Sequence, residues 1–322
     1  MLIDILFFIL GFLLFFAGLY IFKKQLYAVP HSFLIKAVRD FTTTPLRGTI
    51  AFTIITSIIQ SSSVVTAVAV SMVDAGILDF KKSIGIILGA NIGTCMTAQI
   101  FSLNLYHLAI PIFAFGILLF FISKNLGYFL IGLGAIFEGI HLIGVGSEPL
   151  IHSPIFFKMI EAAEAKPLAG IIIGTAAAAV AQSSSAVIGI IIALSQKGIL
   201  DIKEATALTL GCNLGTCITA LLAGFGGSEA AKKTAFAHIL LNIIGIVLIL
   251  PIFKSFTAIV EATSTSLPRQ IANAHTLFNI FSSFLILPFA HAYAEIVSIL
   301  YKGTIDLMNN VVVFCTKLIK IR

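Results

Sequence analysis

The chain has 322 residues, of which 59% are hydrophobic and only 11% are charged, and its formal net charge is +6. Its mean hydropathy of +1.09 excludes an ordinary soluble domain, which needs far more surface charge, and places the chain among integral membrane proteins. A soluble bundle of fully buried helices is the alternative, but a chain of this length would expose too much apolar surface. Nucleic-acid binding is not indicated, because the basic residues fall in predicted loops.

Apolar runs recur along the chain and predict membrane-spanning helices, since a helix needs about 20 apolar residues to cross a bilayer core. The main runs are 2–22, 105–123, 125–146, 234–253 and 276–293. We interpret the first run as a retained transmembrane helix rather than a signal peptide, because Asp4 rather than a basic residue lies at its start and no small-residue cleavage site follows. The predicted protein is multi-pass and lies in the lipid bilayer of the plasma (inner) membrane.

Basic residues concentrate in the predicted loops near the first run. They are Lys23, Lys24, Lys36, Arg39, Arg47, Lys81 and Lys82. The positive-inside rule predicts that these loops are cytoplasmic and that the N-terminus is outside. The loop at 147–167 has Glu148, Glu161 and Glu164 against two lysines, which fits the opposite side.

Two identical polar tetrads interrupt the apolar sequence. "QSSS" occurs at 60–63 and again at 182–185, an offset of 182 − 60 = 122. At the same offset "LGANIGTCMTA" returns as "LGCNLGTCITA". Over 60–98 against 182–220 there are 18 identities in 39 positions without a gap. The chain therefore contains an internal duplication.

Each tetrad is predicted to lie at the tip of a re-entrant hairpin. Positions 48–59 and 64–73 form arms of about 15–18 Å at ~1.5 Å per residue, roughly half of a ~30 Å bilayer core. Charges at both ends of the segment, Arg47 and Lys81, favour a hairpin over one straight helix whose serines bond to its own carbonyls. Each repeat then crosses the membrane an odd number of times, so the second repeat is inverted, as in secondary transporters.

We therefore predict an all-α integral membrane protein with the inverted-repeat fold of secondary transporters, two re-entrant helical hairpins and two interrupted transmembrane helices. The predicted repeats span 1–124 and 125–253, and additional C-terminal helices fill 254–322. The segments are, in chain order, hairpin 48–80, broken helix 82–103, helix 105–123, helix 125–146, hairpin 168–200, broken helix 203–224 and helix 234–253. The amphipathic end of the chain, 294–322, is predicted to lie on the membrane surface or to form a last helix.

Glycines on both sides of Asn91 and Asn213 predict the interruptions, because glycine weakens a helix and permits a close backbone approach or an unwound turn. At membrane depth such a break is tolerated where it lines a polar cavity or is buried in protein. The breaks and the tetrads would then converge. Hydroxyls and helix N-terminal N–H groups suit a small anion, whereas carbonyl, amide and hydroxyl oxygens suit a hard cation such as Na⁺.

Fixed cations are missing from these segments. No Lys or Arg occurs in 48–80, 83–123, 167–196 or 204–231. A multiply charged anion at mid-membrane would be very costly without compensation. Cations that bind and leave together with the anion would supply it, so the pattern predicts symport rather than a simple pore.

Two QSSS tetrads, each followed by a GxNxGT segment, resemble the type II sodium–phosphate cotransporter family over about 45–100 and 167–222 plus flanking helices. The resemblance implies Na⁺-coupled movement of inorganic phosphate by alternating access, with Na⁺ as coupling ion, no organic cofactor and no enzymatic activity. It implies phosphate contacts from both tetrads and both GxNxGT segments. The residues are Gln60, Ser61, Ser62, Ser63, Asn91, Gly93, Thr94, Gln182, Ser183, Ser184, Ser185, Asn213, Gly215 and Thr216.

The same resemblance implies sodium ligands. In the second repeat they are Gln182, Ser183, Thr216 and Thr219, and the duplicated positions are Gln60, Ser61, Thr94 and Thr97. Cys95 and Cys217 stand where relatives often carry Ser or Thr, which leaves the cation stoichiometry open. The choice between Na⁺ and H⁺, related oxyanions such as arsenate or sulfate, and a homodimer stay open as well.

Further alternatives concern the chemistry of the site, the roles of residues outside these motifs and the direction of transport. An intramembrane serine hydrolase would use a tetrad serine as nucleophile and His238 or His275 as base, although two symmetric sets of serines are unexpected for it. Interhelical hydrogen bonding is the favoured role of these histidines. Glu138 and His141 share a helix face and are interpreted as a structural pair or an interfacial feature. A phosphate exporter is the remaining alternative, because the gradient sets the direction.

Overall fold

The computed structural model describes residues 2–26 and 31–304, and every regular element in these two ranges is helical. The helices are α1 Leu2–Leu26, α2 His31–Phe41, α3 Pro45–Ile59, α4 Ser62–Asp74, α5 Phe80–Gly93, α6 Cys95–Phe101, α7 Tyr106–Phe120, α8 Lys124–Val145, α9 Glu148–Ile151, α10 Pro154–Ala165, α11 Pro167–Ala181, α12 Ser184–Ser195, α13 Ile202–Gly215, α14 Cys217–Gly224, α15 Glu229–Ile249, α16 Phe253–Ala262 and α17 Leu267–Ile286. Residues 290–304 continue α17 after a short 3₁₀ turn, Leu287–Phe289.

Six helical stretches of the described residues are long and apolar enough to cross a membrane. They are Leu2–Leu26, Phe80–Phe101, Lys124–Val145, Ile202–Gly224, Glu229–Ala262 and Leu267–Thr304. The prediction of an all-α, multi-pass membrane protein is confirmed. Of the predicted tail 294–322, residues 294–304 are helical and 305–322 lie outside the described residues.

The first helix is longer than its apolar run. The prediction that Lys23 and Lys24 lie in a loop is wrong, because α1 continues to Leu26 and includes both. Lysine is a good helix former, and a positive charge in the last turn interacts favourably with the helix dipole. The other predicted loop lysine and arginine of this region, Lys36 and Arg39, likewise lie in a helix, α2.

Helices α1 and α8 pack antiparallel with their backbones in close contact. A Cβ built on Gly18 of α1 would meet the carbonyl of Gly132, and one built on Gly139 of α8 would meet the backbone of Phe15. Lipid tails are as apolar as these side chains, so association within a membrane relies on close packing of this kind, which small residues allow.

The first tetrad lies where the chain reverses direction. A Cβ built on Gly89 of α5 would lie 2.5 Å from the carbonyl oxygen of Thr49, and one on Gly93 would lie 2.5 Å from that of Thr53, so α3 and α5 run parallel. Five residues join the end of α4 to the start of α5. Helix α4 must therefore run back towards the start of α3, and α3 and α4 form a helical hairpin with the tetrad at its tip.

The second tetrad repeats this arrangement. Gly211 of α13 packs on the backbone of Ile171 and Thr175, and Gly215 packs on Thr175 and Ala179, so α11 and α13 also run parallel. Helix α12 then returns the chain to the start of α13, as α4 does for α5. The predicted hairpin boundaries, 48–80 and 168–200, compare with Pro45–Asp74 and Pro167–Ser195.

Two contacts at the hairpin bases establish that the halves run in opposite directions. Asp74, at the end of the first hairpin, accepts a 2.6 Å hydrogen bond from the backbone N–H of Ser228, just after α14. Gln196, at the end of the second hairpin, donates a 3.1 Å hydrogen bond to Asn104, just after α6. The α5–α6 helix thus begins at the first base and ends at the second, while α13–α14 runs the other way. The inverted repeat follows from these directions.

The two interruptions are smaller than predicted. Only Thr94 separates α5 from α6, and only Thr216 separates α13 from α14, and both keep right-handed helical dihedral angles. Of the two alternatives, the glycines make the close backbone approach. The unwound turn is not formed, because each amide at these positions still bonds the carbonyl four residues back, at 3.2 Å in both helices. Each crossing is one helix with a single irregular residue.

The glycine contacts generate a stability prediction. We expect Gly89→Ala to lower the free energy of unfolding by about 1–3 kcal/mol, because the added methyl would press on the fixed backbone of α3. The measurement is the apparent melting temperature of the purified protein in detergent. Gly303→Ala is the control, because a Cβ there meets nothing within 4 Å. Its melting temperature should stay the same or rise, since alanine is the better helix former by ~1 kcal/mol, and an equal fall in both variants would contradict the packing argument.

Candidate functional site

Each tetrad makes a tight turn between two helices. Gln60 (φ 56°) and Gln182 (φ 50°) adopt the left-handed conformation. The next residues, Ser61 and Ser183, are extended, and their hydroxyls accept hydrogen bonds of 3.4 and 3.2 Å from the amide three positions ahead. A left-handed glutamine costs roughly 1–2 kcal/mol. Such backbone strain is typical of functional sites, and it occurs here twice at equivalent positions.

Both hairpin tips border one cavity of about 310 Å³. Its lining residues are Lys23, Gln60, Ser61, Ser62, Ser63, Val64, Ala67, Thr94, Gln182, Ser183, Ser184, Ser185 and Thr219. A water in the liquid takes about 30 Å³, so the space accommodates a tetrahedral oxyanion together with small ions. Ten of the sixteen predicted site residues meet at this cavity.

Two helices begin at the cavity. Helix α4 starts at Ser62 and α12 starts at Ser184, and each has more than ten residues. The first amides of a helix have no partner within the helix, and the helix dipole places a partial positive charge there. Because the hairpins enter from opposite directions, two such positive ends face the same space. This arrangement is suited to binding an anion.

Several side-chain oxygens of the predicted sodium ligands accept no hydrogen bond within the described residues. The side-chain oxygens of Gln60 (Oε1) and Thr97 (Oγ1) are buried and form no hydrogen bond within the described residues. The Thr216 and Thr219 hydroxyls donate to backbone carbonyls at 3.0 and 2.8 Å, which leaves their lone pairs free. A buried oxygen without a donor is costly unless a cation or water meets it. These oxygens fit a hard cation such as Na⁺, although Thr97 and Thr216 do not line the cavity itself.

The two tips differ in exposure. Gln60 is only 6% exposed, whereas Gln182 is an exposed residue at the equivalent place. The backbone N–H of Gln60 also bonds the carbonyl of Thr56 at 2.6 Å. The first tip is therefore packed inside the protein, and the cavity is bordered on its other side by an accessible second tip.

One cation lines the cavity. The prediction that the site has no fixed cation is wrong, because the Nζ atom of Lys23 lies 3.4 Å from the Ser183 hydroxyl. The segments without Lys or Arg were correctly identified, but the lysine comes from α1, far away in sequence. The sequence contains one indication of this position. Lys23 follows Phe15 and Leu19, which are buried, at intervals of eight and four residues, so it lies on the same face of α1 as they do.

The asparagines of the GxNxGT segments do not line the cavity. Asn91 pairs instead with α15, where it contacts His238 Nε2 at 3.1 Å and donates to Asn242 at 3.3 Å. Asn242 in turn donates to the Sγ atom of Cys217, in the opposite half, at 3.3 Å. Helix α15 therefore ties the two interrupted helices together.

Helix α17 makes the mirror-related connection. His275 Nε2 contacts Asn213 at 2.9 Å, and Asn279 donates to Cys95 Sγ at 3.3 Å. Both histidines are 1% exposed. The contacts agree with interhelical hydrogen bonding as the role of His238 and His275.

The remaining predicted residues pack between helices. Gly93 and Gly215 touch the backbones of α3 and α11, where a side chain would not fit. His141 stacks on Tyr106 with ring centroids 4.8 Å apart, and no hydrogen bond or ion pair joins it to Glu138 within the described residues. The expected Glu138–His141 pair is therefore not formed.

The hydrolase alternative lacks its base. It requires a histidine within hydrogen-bond reach of a tetrad serine. Neither His238 nor His275 lines the cavity, and in the described residues both Nε2 atoms are engaged by asparagine. Within the described residues, the histidine base that this alternative requires therefore does not lie at the cavity.

Comparisons with known proteins agree on one family. A family model described as "Na+/Pi-cotransporter" matches residues 14–145 and 151–266. The "Uncharacterized protein YqeW" of Bacillus subtilis (strain 168) is 34% identical over 270 residues, which cover 81% of this chain and 86% of that protein.

Two further relatives carry names that refer to phosphate. The "Putative inorganic phosphate export protein YjbB" of Escherichia coli (strain K12) is 28% identical over 203 residues, which are 61% of this chain but only 37% of that protein. The "Sodium-dependent phosphate transport protein 2A" of Oryctolagus cuniculus is 42% identical over 59 residues, 18% of this chain and 9% of that protein. No solved structure matches the chain significantly.

The histidine contacts generate a prediction that separates packing from ligand binding. His275→Ala leaves Asn213 without its closest partner, so we expect the free energy of unfolding to fall by about 1–3 kcal/mol. Phosphate affinity should stay within about threefold of the wild type, under ~1 kcal/mol. Melting temperature and phosphate titration are measured on the same preparation. His291→Ala, at an exposed position, is the control, and a normal melting temperature with tenfold weaker phosphate binding would assign His275 to the ligand site.

Proposed function

This chain belongs to the Na⁺/Pi-cotransporter family, and from that membership we propose that it couples Na⁺ to the movement of inorganic phosphate across the membrane by alternating access. The observation that carries the proposal is the meeting of two duplicated serine tetrads, from opposite directions, at one cavity. A symmetric pair of hairpins around a central site is the architecture in which access can alternate between the two sides.

Phosphate would bind between the hairpin tips. The hydroxyls of Ser62, Ser63, Ser184 and Ser185 and the first amides of α4 and α12 supply donors to its oxygens. Hydrogen bonds to a charged acceptor are each worth about 1.5–3 kcal/mol, so a few of them offset much of the cost of dehydrating the anion. Thr94 borders the same space, whereas Asn91, Gly93, Asn213 and Gly215 would support the site through packing.

Sodium would bind to the oxygens around the tips. In the first repeat the proposed ligands are Gln60, Ser61, Thr94 and Thr97, and in the second repeat Gln182, Ser183, Thr216 and Thr219. The unpaired Oε1 atom of Gln60 and Oγ1 atom of Thr97 support the first set. Each bound Na⁺ compensates part of the phosphate charge, which is the physical basis of coupling.

The direction of net transport is set by the gradients. A phosphate exporter would use the same cavity, and the relative from Escherichia coli is named for export. A reversible carrier moves phosphate inward when the sodium gradient is directed inward and outward when phosphate accumulates. Both alternatives therefore share the binding site proposed above.

Reconstituted vesicles test the transport proposal directly. With an inward sodium gradient, we expect the full chain to accumulate labelled phosphate above the level reached with an equal potassium gradient. An ionophore that collapses the sodium gradient should abolish this accumulation. Equal uptake in both salts would contradict the coupling to sodium. The absence of phosphate movement in either direction would contradict the whole proposal.

A serine substitution tests the site. Ser184→Ala removes one hydroxyl donor at the cavity, and we expect phosphate affinity to fall about 10–100-fold, equivalent to ~1.5–3 kcal/mol. Affinity is measured by calorimetric titration in high sodium. Ser195→Ala is the matched control, because Ser195 lies in the same helix, is also buried and bonds only the carbonyl of Ile192. If the two variants bind phosphate equally well, the tetrad is not the phosphate site.

A further inference from the structure

A single lysine breaks the symmetry of the cavity. Lys23 of α1 lines it together with both tips, and its ammonium lies 3.4 Å from the hydroxyl of Ser183. Among the described residues no other Lys or Arg lines the cavity, and Lys23 forms its hydrogen bond with the second tip and none with the first. The duplication thus produced two similar tips, of which only the second is hydrogen-bonded to a fixed positive charge.

The position of Lys23 is not the one that a solvated lysine would take. It lies three residues before the end of α1, from where lysines normally extend outwards to the membrane surface. The next residue, Lys24, is exposed, with its ammonium over the ring of Tyr20. Lys23 instead turns into the cavity, and within the described residues it forms no ion pair with a carboxylate.

We propose that the Lys23 ammonium takes the place of one sodium ion at the second tip. This inference rests on the proposed function. An ammonium has the same unit charge as Na⁺ and donates up to three hydrogen bonds to oxygens of the kind that bind Na⁺. It already contacts Ser183 and shares the cavity with Gln182 and Thr219, which belong to the ligand set proposed for that tip.

A sodium ion and the ammonium exclude each other at this place. A cation bound to Ser183 would lie within a few ångströms of Nζ, and like charges at that distance repel strongly in a medium of low dielectric constant. The chain therefore compensates one phosphate charge with a tethered cation. Of the two ligand sets proposed above for sodium, the set of the second repeat then holds the ammonium in place of Na⁺, and exchangeable sodium binds at the first tip, where Gln60 has an unpaired buried oxygen.

The number of sodium ions bound with phosphate is the quantity that tests this inference. It equals the slope of the logarithm of phosphate affinity against the logarithm of sodium concentration, by linkage. We compare the full-length wild type with Lys23→Gln, which keeps a hydrogen-bond donor but loses the charge. Choline chloride keeps the ionic strength constant. Lys24→Gln is the matched control, and Lys23→Met is a second neutral variant.

We expect the slope to increase by about one in Lys23→Gln and Lys23→Met and to stay unchanged in Lys24→Gln, because the freed position binds an additional Na⁺. Phosphate affinity of the neutral variants should be at least about tenfold weaker at low sodium and should recover at high sodium. An unchanged slope overturns the inference, even if affinity falls at every sodium concentration, because Lys23 would then contact phosphate without replacing sodium.

A second readout separates this inference from the proposed function. Sodium alone, without phosphate, should raise the melting temperature of Lys23→Gln more than that of the wild type or of Lys24→Gln, because ligand binding stabilises the folded state. Equal sodium-dependent shifts overturn the inference. If the wild type binds no phosphate in any salt, the proposed function fails, but the sodium-dependent melting temperatures still decide whether Lys23 occupies a cation position.

Discussion

The position of the cavity depends on the glycine contacts between the first arm of each hairpin and the interrupted helix beside it. Within a membrane no hydrophobic force drives apolar helices together, so contact between backbones decides where they settle. Gly89 and Gly93 fix α3 against α5, and Gly211 and Gly215 fix α11 against α13. Because each pair of helices is parallel and in close contact, the place where each tip ends is fixed relative to the neighbouring interrupted helix. The two tips meet at one cavity, which is the space that remains between them.

A second constraint joins the halves. Helices α15 and α17 each place a histidine on one interrupted helix and an asparagine on a cysteine of the other, for example His238 on Asn91 and Asn242 on Cys217. These contacts are fully buried. Leaving one of the polar groups unpaired there would destabilise the fold by more than a typical hydrogen bond stabilises it. The cysteines take part as acceptors at positions where threonine or serine would add another hydroxyl. The asparagines of the GxNxGT segments thus join helices outside the cavity, while the tetrads line it.

Local repetition made much of the fold predictable. The duplicated QSSS and GxNxGT segments indicated the hairpins, and an odd number of crossings indicated the inversion. Nine cavity residues follow from those motifs, and Thr219 follows from the implied set of sodium ligands. Three features did not follow. The glycines allowed either a close backbone approach or an unwound turn, and the sequence did not decide between them; the approach is what forms, so the interruptions at Thr94 and Thr216 are minimal. The partner of Asn91 lies 147 residues away in the chain. Lys23 reaches the cavity from a helix outside the duplicated motifs, and only tertiary packing brings it there.

The two hairpin bases are held by hydrogen bonds of different strength. At one face a carboxylate, Asp74, holds the backbone of Ser228 at 2.6 Å, and at the other face two neutral amides, Gln196 and Asn104, meet at 3.1 Å. A hydrogen bond to an ionised acceptor is roughly twice as strong as one between neutral groups. Parting the hairpin from its neighbour therefore takes more work at the first face than at the second. For the alternating access proposed above, this difference would favour opening at the second hairpin base over opening at the first.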